Sequence, residues 1–258
     1  MTLTDIDQWT VRFMPMPQAP VRLVCFPHAG GAASSFFTLA KALSPRVEVV
    51  AIQYPGRQNR RNEPVVDSIH RLADLLGPVM ESLRDKPLAL FGHSMGAVVA
   101  YEVAQAGNFE ATRLFASARR APSTFRRGTV HLGRDRDIID EIRKLNGTAG
   151  RVLDDEEILR SALPVLRGDY KAIETYRPRP GSSIASPITA LIGRDDPEVS
   201  VAEARAWAAH TTSEFDLRVF EGGHFYNSAK TLELADLIAD KVGDQPRHEI
   251  ARSAAFLP

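Results

Sequence analysis

Leu88-Ala89-Leu90-Phe91-Gly92-His93-Ser94-Met95-Gly96-Ala97-Val98-Val99-Ala100-Tyr101-Glu102-Val103-Ala104-Gln105 changes character twice within eighteen residues. Leu88 to Phe91 reads as a short apolar strand, and Met95 to Gln105 reads as a helix. Between them lies Gly92-His93-Ser94-Met95-Gly96, a G-x-S-x-G run in the strand–turn–helix setting that gives the pattern its meaning. A turn this sharp forces the serine backbone into strain. It also brings the positions two residues either side so close that only a hydrogen atom fits there. The hydroxyl of Ser94 is thereby lifted out at the carboxyl end of its strand, as a candidate nucleophile.

The same rhythm extends in both directions. Upstream, Val21 to Phe26 and Val47 to Ile52 are short apolar strands, followed by helical stretches over Ser35 to Leu43 and Ser68 to Leu83. In the latter, Ile69, Leu72, Leu75, Leu76, Val79 and Leu83 recur at helical spacing. Downstream come strand Arg113 to Ala116, strand Ile188 to Ile192, helix Val201 to Ala209, strand Phe215 to Phe220 and helix Thr231 to Lys241. Short, doubly buried strands alternating with helices predict an α/β fold with a mostly parallel sheet covered on both faces.

The chain is 258 residues and 28.4 kDa, with 44% hydrophobic and 25% charged residues, which suits one large domain with an insertion. Thirty-two Lys+Arg balance 32 Asp+Glu, for a formal charge of +0, so no basic surplus marks a nucleic-acid binder. The single cysteine, Cys25, rules out an intramolecular disulfide and a cysteine metal cage, and its apolar strand predicts a buried small hydrophobe. No apolar stretch approaches the ~18 residues that span a bilayer, and the acidic, polar start does not resemble a secretory leader. A cytoplasmic monomer without membrane or nucleic-acid partner is expected.

A serine hydroxyl needs a base, and in this chain order the acid precedes the base. Of seven histidines, His224 in Glu221-Gly222-Gly223-His224-Phe225 sits between the last strand and the last helix, where a loop can return it to Ser94. His93 adjoins the serine on a turn whose neighbouring side chains diverge, and His28 lies on a loop with another use. His70, His131, His210 and His248 are expected to be solvated. The acid follows the penultimate strand in Gly193-Arg194-Asp195-Asp196-Pro197. Asp196 is favoured, with Asp195 as a loop-capping carboxylate. The loop Phe26-Pro27-His28-Ala29-Gly30-Gly31-Ala32 and the helix start at Met95 offer backbone N–H donors, Ala29 and Met95, for a developing oxyanion.

Taken together, Phe26-Pro27-His28-Ala29-Gly30-Gly31, Gln53-Tyr54-Pro55-Gly56-Arg57, Phe91-Gly92-His93-Ser94-Met95-Gly96, Leu163-Pro164-Val165-Leu166-Arg167-Gly168-Asp169 and Gly223-His224-Phe225-Tyr226 give the chain a family likeness. It resembles the type II thioesterases of the α/β-hydrolase superfamily, the stand-alone editing enzymes of polyketide and nonribosomal peptide synthesis. The resemblance implies hydrolysis of acyl groups from the phosphopantetheine thiol of acyl or peptidyl carrier proteins. It implies a triad of Ser94, Asp196 and His224, oxyanion donors at Ala29 and Met95, and no metal or organic cofactor.

Residues 117–187 break the rhythm and read as a helical lid insertion, with helices over Ile138 to Leu145 and Asp155 to Tyr176, the second broken near Pro164. Its apolar positions Ile138, Ile139, Ile142, Leu145, Ile158, Leu159, Leu163 and Leu166 form an acyl channel or pack onto the sheet; packing is expected for most. Arg119, Arg120, Arg126 and Arg127 are candidates for contact with the pantetheine phosphate or an acidic carrier helix, against a solvated loop, the favoured account. Residues 243–258 read as a tail. Trp9 and Trp207 have no functional context. Two rival readings remain, a serine esterase or acyltransferase working on oxygen esters and a non-catalytic scaffold that binds carriers.

Overall fold

The computed structural model describes residues 7–107, 109–146 and 156–243. In chain order its elements are β1 (Thr10–Val11), β2 (Arg22–Phe26), α1 (Phe37–Leu43), β3 (Glu48–Ile52), α2 (Ile69–Ser82), β4 (Leu88–His93), α3 (Met95–Ala106), β5 (Leu114–Ser117), α4 (Asp135–Asn146), α5 (Glu156–Thr175), β6 (Ile188–Gly193), α6 (Val201–Arg205), β7 (Phe215–Phe220), α7 (Tyr226–Ala229) and α8 (Thr231–Gly243). The strands form one sheet in the order β1-β3-β2-β4-β5-β6-β7, parallel except for β1.

Every residue of β2 to β6 is buried, as expected for strands covered on both faces. Alternate side chains serve two cores. Val24, Phe26, Val50, Ile52 and Leu90 meet α2, α3 and Trp207 on one face. Leu23, Cys25, Val49, Ala51 and Phe91 meet α1 and α8 on the other. Cys25 is a fully buried free thiol. α2 starts at Ser68, whose hydroxyl accepts from Arg71 N, and it buries the stripe Ile69, Leu72, Ala73, Leu76, Val79 and Met80. The strand order reverses between β2 and β4, where Phe26 pairs with Gly92. In open α/β sheets the crevice at the carboxyl ends of such strands is where ligands bind.

Several expectations need correction. α5 is not broken at Pro164; it runs unbroken from Glu156 to Thr175. Proline costs one helical hydrogen bond, but Pro164 is exposed while Leu163, Val165 and Leu166 are buried, so packing holds the helix through it. The helix expected over Val201 to Ala209 divides into α6 and a 3-10 turn at Ala206–His210. β1 and α7, of two and four residues, are too short to show a period in the sequence. His210 is buried rather than solvated, bonded to Tyr101 Oη and Ser123, and His131 is largely buried against Glu174. His70 meets Glu102 at 3.1 Å. His248 and the tail after Gly243 lie outside the described residues, as do the side chains of Ile158 and Leu159.

Candidate active site

Ser94 joins β4 to α3 with φ +53° and ψ −117°, a backbone conformation that costs a side-chain-bearing residue roughly 1–3 kcal/mol and persists only where surroundings enforce it. The enforcement is visible. Ser94 N donates to Ser117 O at 2.8 Å, tying the turn to the end of β5. A Cβ on Gly92 would lie 2.2 Å from Gly96 O, and one on Gly96 would lie 2.0 Å from Phe26 O. Both positions are closed to any side chain by main-chain atoms, which do not yield.

Asp196 and His224 come from the loops after β6 and β7. The Asp196 carboxylate is fully buried, and the His224 ring is 2% exposed. Nδ1 of His224 stands 3.0 Å and 2.9 Å from the two Asp196 oxygens. A carboxylate only accepts, so Nδ1 is the donor of this contact, and Nε2 is the ring nitrogen on the side away from Asp196. Asp196 is itself held by Glu198 N, which donates to Oδ1 at 2.8 Å. Asp195 is exposed, and its backbone N–H donates to Gly222 O. Ser94 and His224 line one cavity; among the described residues no hydrogen bond joins Ser94 Oγ to the ring.

His93 lies beneath the turn, buried, with Nδ1 2.9 Å from Ser117 Oγ, which in turn meets Tyr226 Oη at 2.7 Å. Burial, and then the His224 and His28 rings, push its pKa well below the usual histidine value, so it stays neutral beside His224. His28, half-buried on the loop after β2, is driven down to about 4 by burial, then by His224 and Arg57. Ala29 and Met95 line the same cavity as Ser94, and Met95 N is the first amide of α3.

The cavity is about 660 Å³. Phe36, Ile142, Leu145, Ala162, Leu166, Ile173 and Phe225 supply its apolar wall, and Arg119, Glu141, Tyr170 and Glu198 its polar one. The insertion thus contributes both chamber wall and packing: Ile138, Leu163 and Leu166 form a small core of their own, while Ala172, Ile173 and Tyr176 join the main one. The arginines separate. Arg119 is half-buried in the chamber wall, and burial, with Arg120 next, lowers its pKa to about 9, leaving it charged at neutral pH. Arg120 stands 3.6 Å from Glu198, and Arg126 bonds Glu203 at 2.5 Å. Arg126 and Arg127 are exposed. A solvated loop therefore describes only the second pair.

A reversing parallel sheet, a serine on a strained strand-to-helix turn at its switch point and a buried Asp–His pair beside it define an α/β-hydrolase. The thioesterase-domain profile matches residues 21–242, and the chain belongs to the thioesterase family. It is similar to the "Probable cadicidin biosynthesis thioesterase" of Streptomyces griseus, 51% identical over 223 residues, which are 85% of this chain and 62% of that protein. Thioesterase PikA5 of Streptomyces venezuelae is 45% identical over 241 residues, 92% of this chain and 86% of that one. Among solved structures, the type II thioesterase BorB from the borrelidin biosynthetic cluster aligns with TM-score 0.86 at 48% identity, covering 92% of this chain and 98% of the other. The chain thus spans less than two thirds of the first relative and most of the other two. It is a thioester hydrolase of the type II group.

Residues that the sequence left without a role also stand out here. Gln53, Arg57 and Asp169 were visible only as parts of shared motifs, yet each is buried and polar. Arg57 is the charged residue of a motif otherwise made of polar, turn and apolar residues; Gln53 is uncharged, and Asp169 shares its motif with Arg167, so neither carried that signal.

Proposed function

We propose that this thioesterase hydrolyses acyl or aminoacyl groups from the phosphopantetheine arm of carrier proteins, clearing chains that stall a polyketide or nonribosomal peptide synthase. The observation that carries the reading is the His224 ring, held through Nδ1 by Asp196 and lining the same chamber as Ser94. Ser94 Oγ attacks the thioester carbonyl carbon while His224 Nε2 takes its proton. The carbonyl oxygen becomes an oxyanion between the N–H groups of Ala29 and Met95. The C–S bond then breaks, and the imidazolium returns the proton to the departing thiol. Water, deprotonated by the same ring, attacks the acyl-serine; its collapse releases the free acid and restores Ser94. Asp196 stays ionised throughout and holds the ring in the productive tautomer.

The residues of the chamber wall support a part for the insertion in the same reading. Its apolar side takes the acyl chain, and Arg119 contacts polar substituents of it. Arg126 and Arg127 face an acidic carrier surface. The test is a hydrolysis panel on pantetheine-loaded carriers bearing short, long and aminoacyl groups, with a matched p-nitrophenyl ester alongside. The reading predicts higher kcat/KM on the carrier thioesters. A clear preference for the oxygen ester contradicts it.

A further inference from the structure

Two charged side chains that the chemistry above does not use lie buried beneath it. Arg57 ends the Gln53-Tyr54-Pro55-Gly56-Arg57 stretch after β3, and Asp169 sits on α5; their side chains are 6% and 1% exposed. The pairing is two-pronged, Nη1 to Oδ2 at 2.8 Å and Nη2 to Oδ1 at 2.9 Å. Both partners also grip the loop that carries Ala29. Gly30 N donates to Asp169 Oδ2 at 2.8 Å, and Arg57 Nη1 donates to Gly31 O at 3.0 Å. Gln53 completes the clasp, accepting from Ala33 N at 2.9 Å and donating to Arg57 O at 3.1 Å. One turn earlier on α5, Leu166 both lines the chamber and presses on Gly30, where a Cβ would stand 2.4 Å from Leu166 Cδ2.

A buried ion pair adds little net stability over apolar packing, because the desolvation of both charges offsets their attraction. What this pair does do is join two peptide groups of the loop after β2 to a helix of the insertion 139 residues later in the chain. We infer that Arg57 and Asp169 are positioning residues that hold the Gly30–Gly31 backbone, and with it the Ala29 N–H, in its oxyanion-binding direction only while α5 is seated. Acyl groups bulky enough to push Leu166 and α5 outward then bind, but react slowly. The enzyme selects by size at the transition state, in kcat, not in affinity. A shift of about 1 Å in a donor is enough to cost on the order of 100-fold in rate. This inference rests on the acyl-serine reading.

The experiment compares active-site-titrated wild type with Asp169→Asn and Arg57→Lys on acyl-pantetheine thioesters of rising bulk. The expected result is a kcat reduced roughly 10- to 100-fold on the smallest acyl group, with KM within about twofold. The dependence of kcat on acyl bulk should flatten, because the donor is already displaced. Should those variants not fold, Leu166→Ala relieves the pressure on α5 while leaving the pair intact. It should raise kcat on the bulkiest acyl group by about fivefold or more, with KM little changed. Unchanged kcat per active site in Asp169→Asn, or an effect confined to KM in any of the three, overturns the inference. Ser94→Ala, run in parallel, separates the layers: retained turnover there defeats the hydrolytic mechanism itself, whereas loss there beside unchanged Asp169→Asn defeats only the positioning role.

Discussion

Around Ser94 the close neighbours are main-chain atoms: Ser117 O receives its N–H, Gly96 O and Ala97 N crowd Gly92, and Phe26 O and Pro27 O crowd Gly96. In the connection between β5 and β6 the ties are side chains. Arg167 donates to the carbonyls of His131 and Gly133, Glu174 accepts from Val130 N and His131 N, and Ile138, Leu163 and Leu166 close over a separate small core. Backbone cannot be exchanged by mutation, so the turn is fixed in every variant that folds. Side-chain ties can be altered one at a time. On the function proposed above, the chemistry belongs to the fixed scaffold and the choice of acyl group to the adjustable one.

The sharpest way to break the contrast is Gly96→Ala. Its methyl has no room beside Phe26 O, so a stability loss of roughly 3 kcal/mol or more and near-total loss of hydrolysis are expected. Calorimetry and turnover on one preparation check both. Asp196→Asn comes next. It keeps the shape of the buried pair but unsettles the His224 tautomer, and kcat should fall about 10³- to 10⁴-fold with the melting temperature far less affected.

A smaller effect concerns acid. His28 has a folded pKa of about 4, below the ordinary 6.5, so the unfolded chain binds more protons between those values. Its contribution to stability is complete above about pH 6.5 and is lost as pH falls toward 4. Tm measured from pH 7 to 4.5 should drop, and His28→Asn should flatten the slope; His93, shifted in the same direction, retains the remainder. The smallest expected change belongs to the insertion's exposed edge. Arg127→Glu should raise KM a few-fold for carrier-bound thioesters and leave free pantetheine thioesters unaltered, read by parallel kinetics at low salt.

What the sequence made legible follows the same division. The turn at Ser94 was readable because its requirements are local: two glycines, a serine, an apolar strand before and a helix after. Asp196 and His224 were readable from their places after the last two core strands. The insertion was not, because its structure is set by distant partners. Pro164 speaks against a continuous helix until the burial of Leu163, Val165 and Leu166 is known. Arg119 looks like its solvated neighbours until the chamber closes around it. Nothing in the spacing of Arg57 and Asp169, 112 residues apart, announces a two-pronged ion pair.

The most direct measurement is intact-protein mass spectrometry during turnover of a slowly hydrolysed acyl-pantetheine thioester, with proteolytic mapping of any adduct. The account predicts an acyl group esterified to Ser94 in the wild type, and neither adduct nor hydrolysis in Ser94→Ala. Undiminished thioester hydrolysis by Ser94→Ala, or an adduct mapped to another residue, would contradict it.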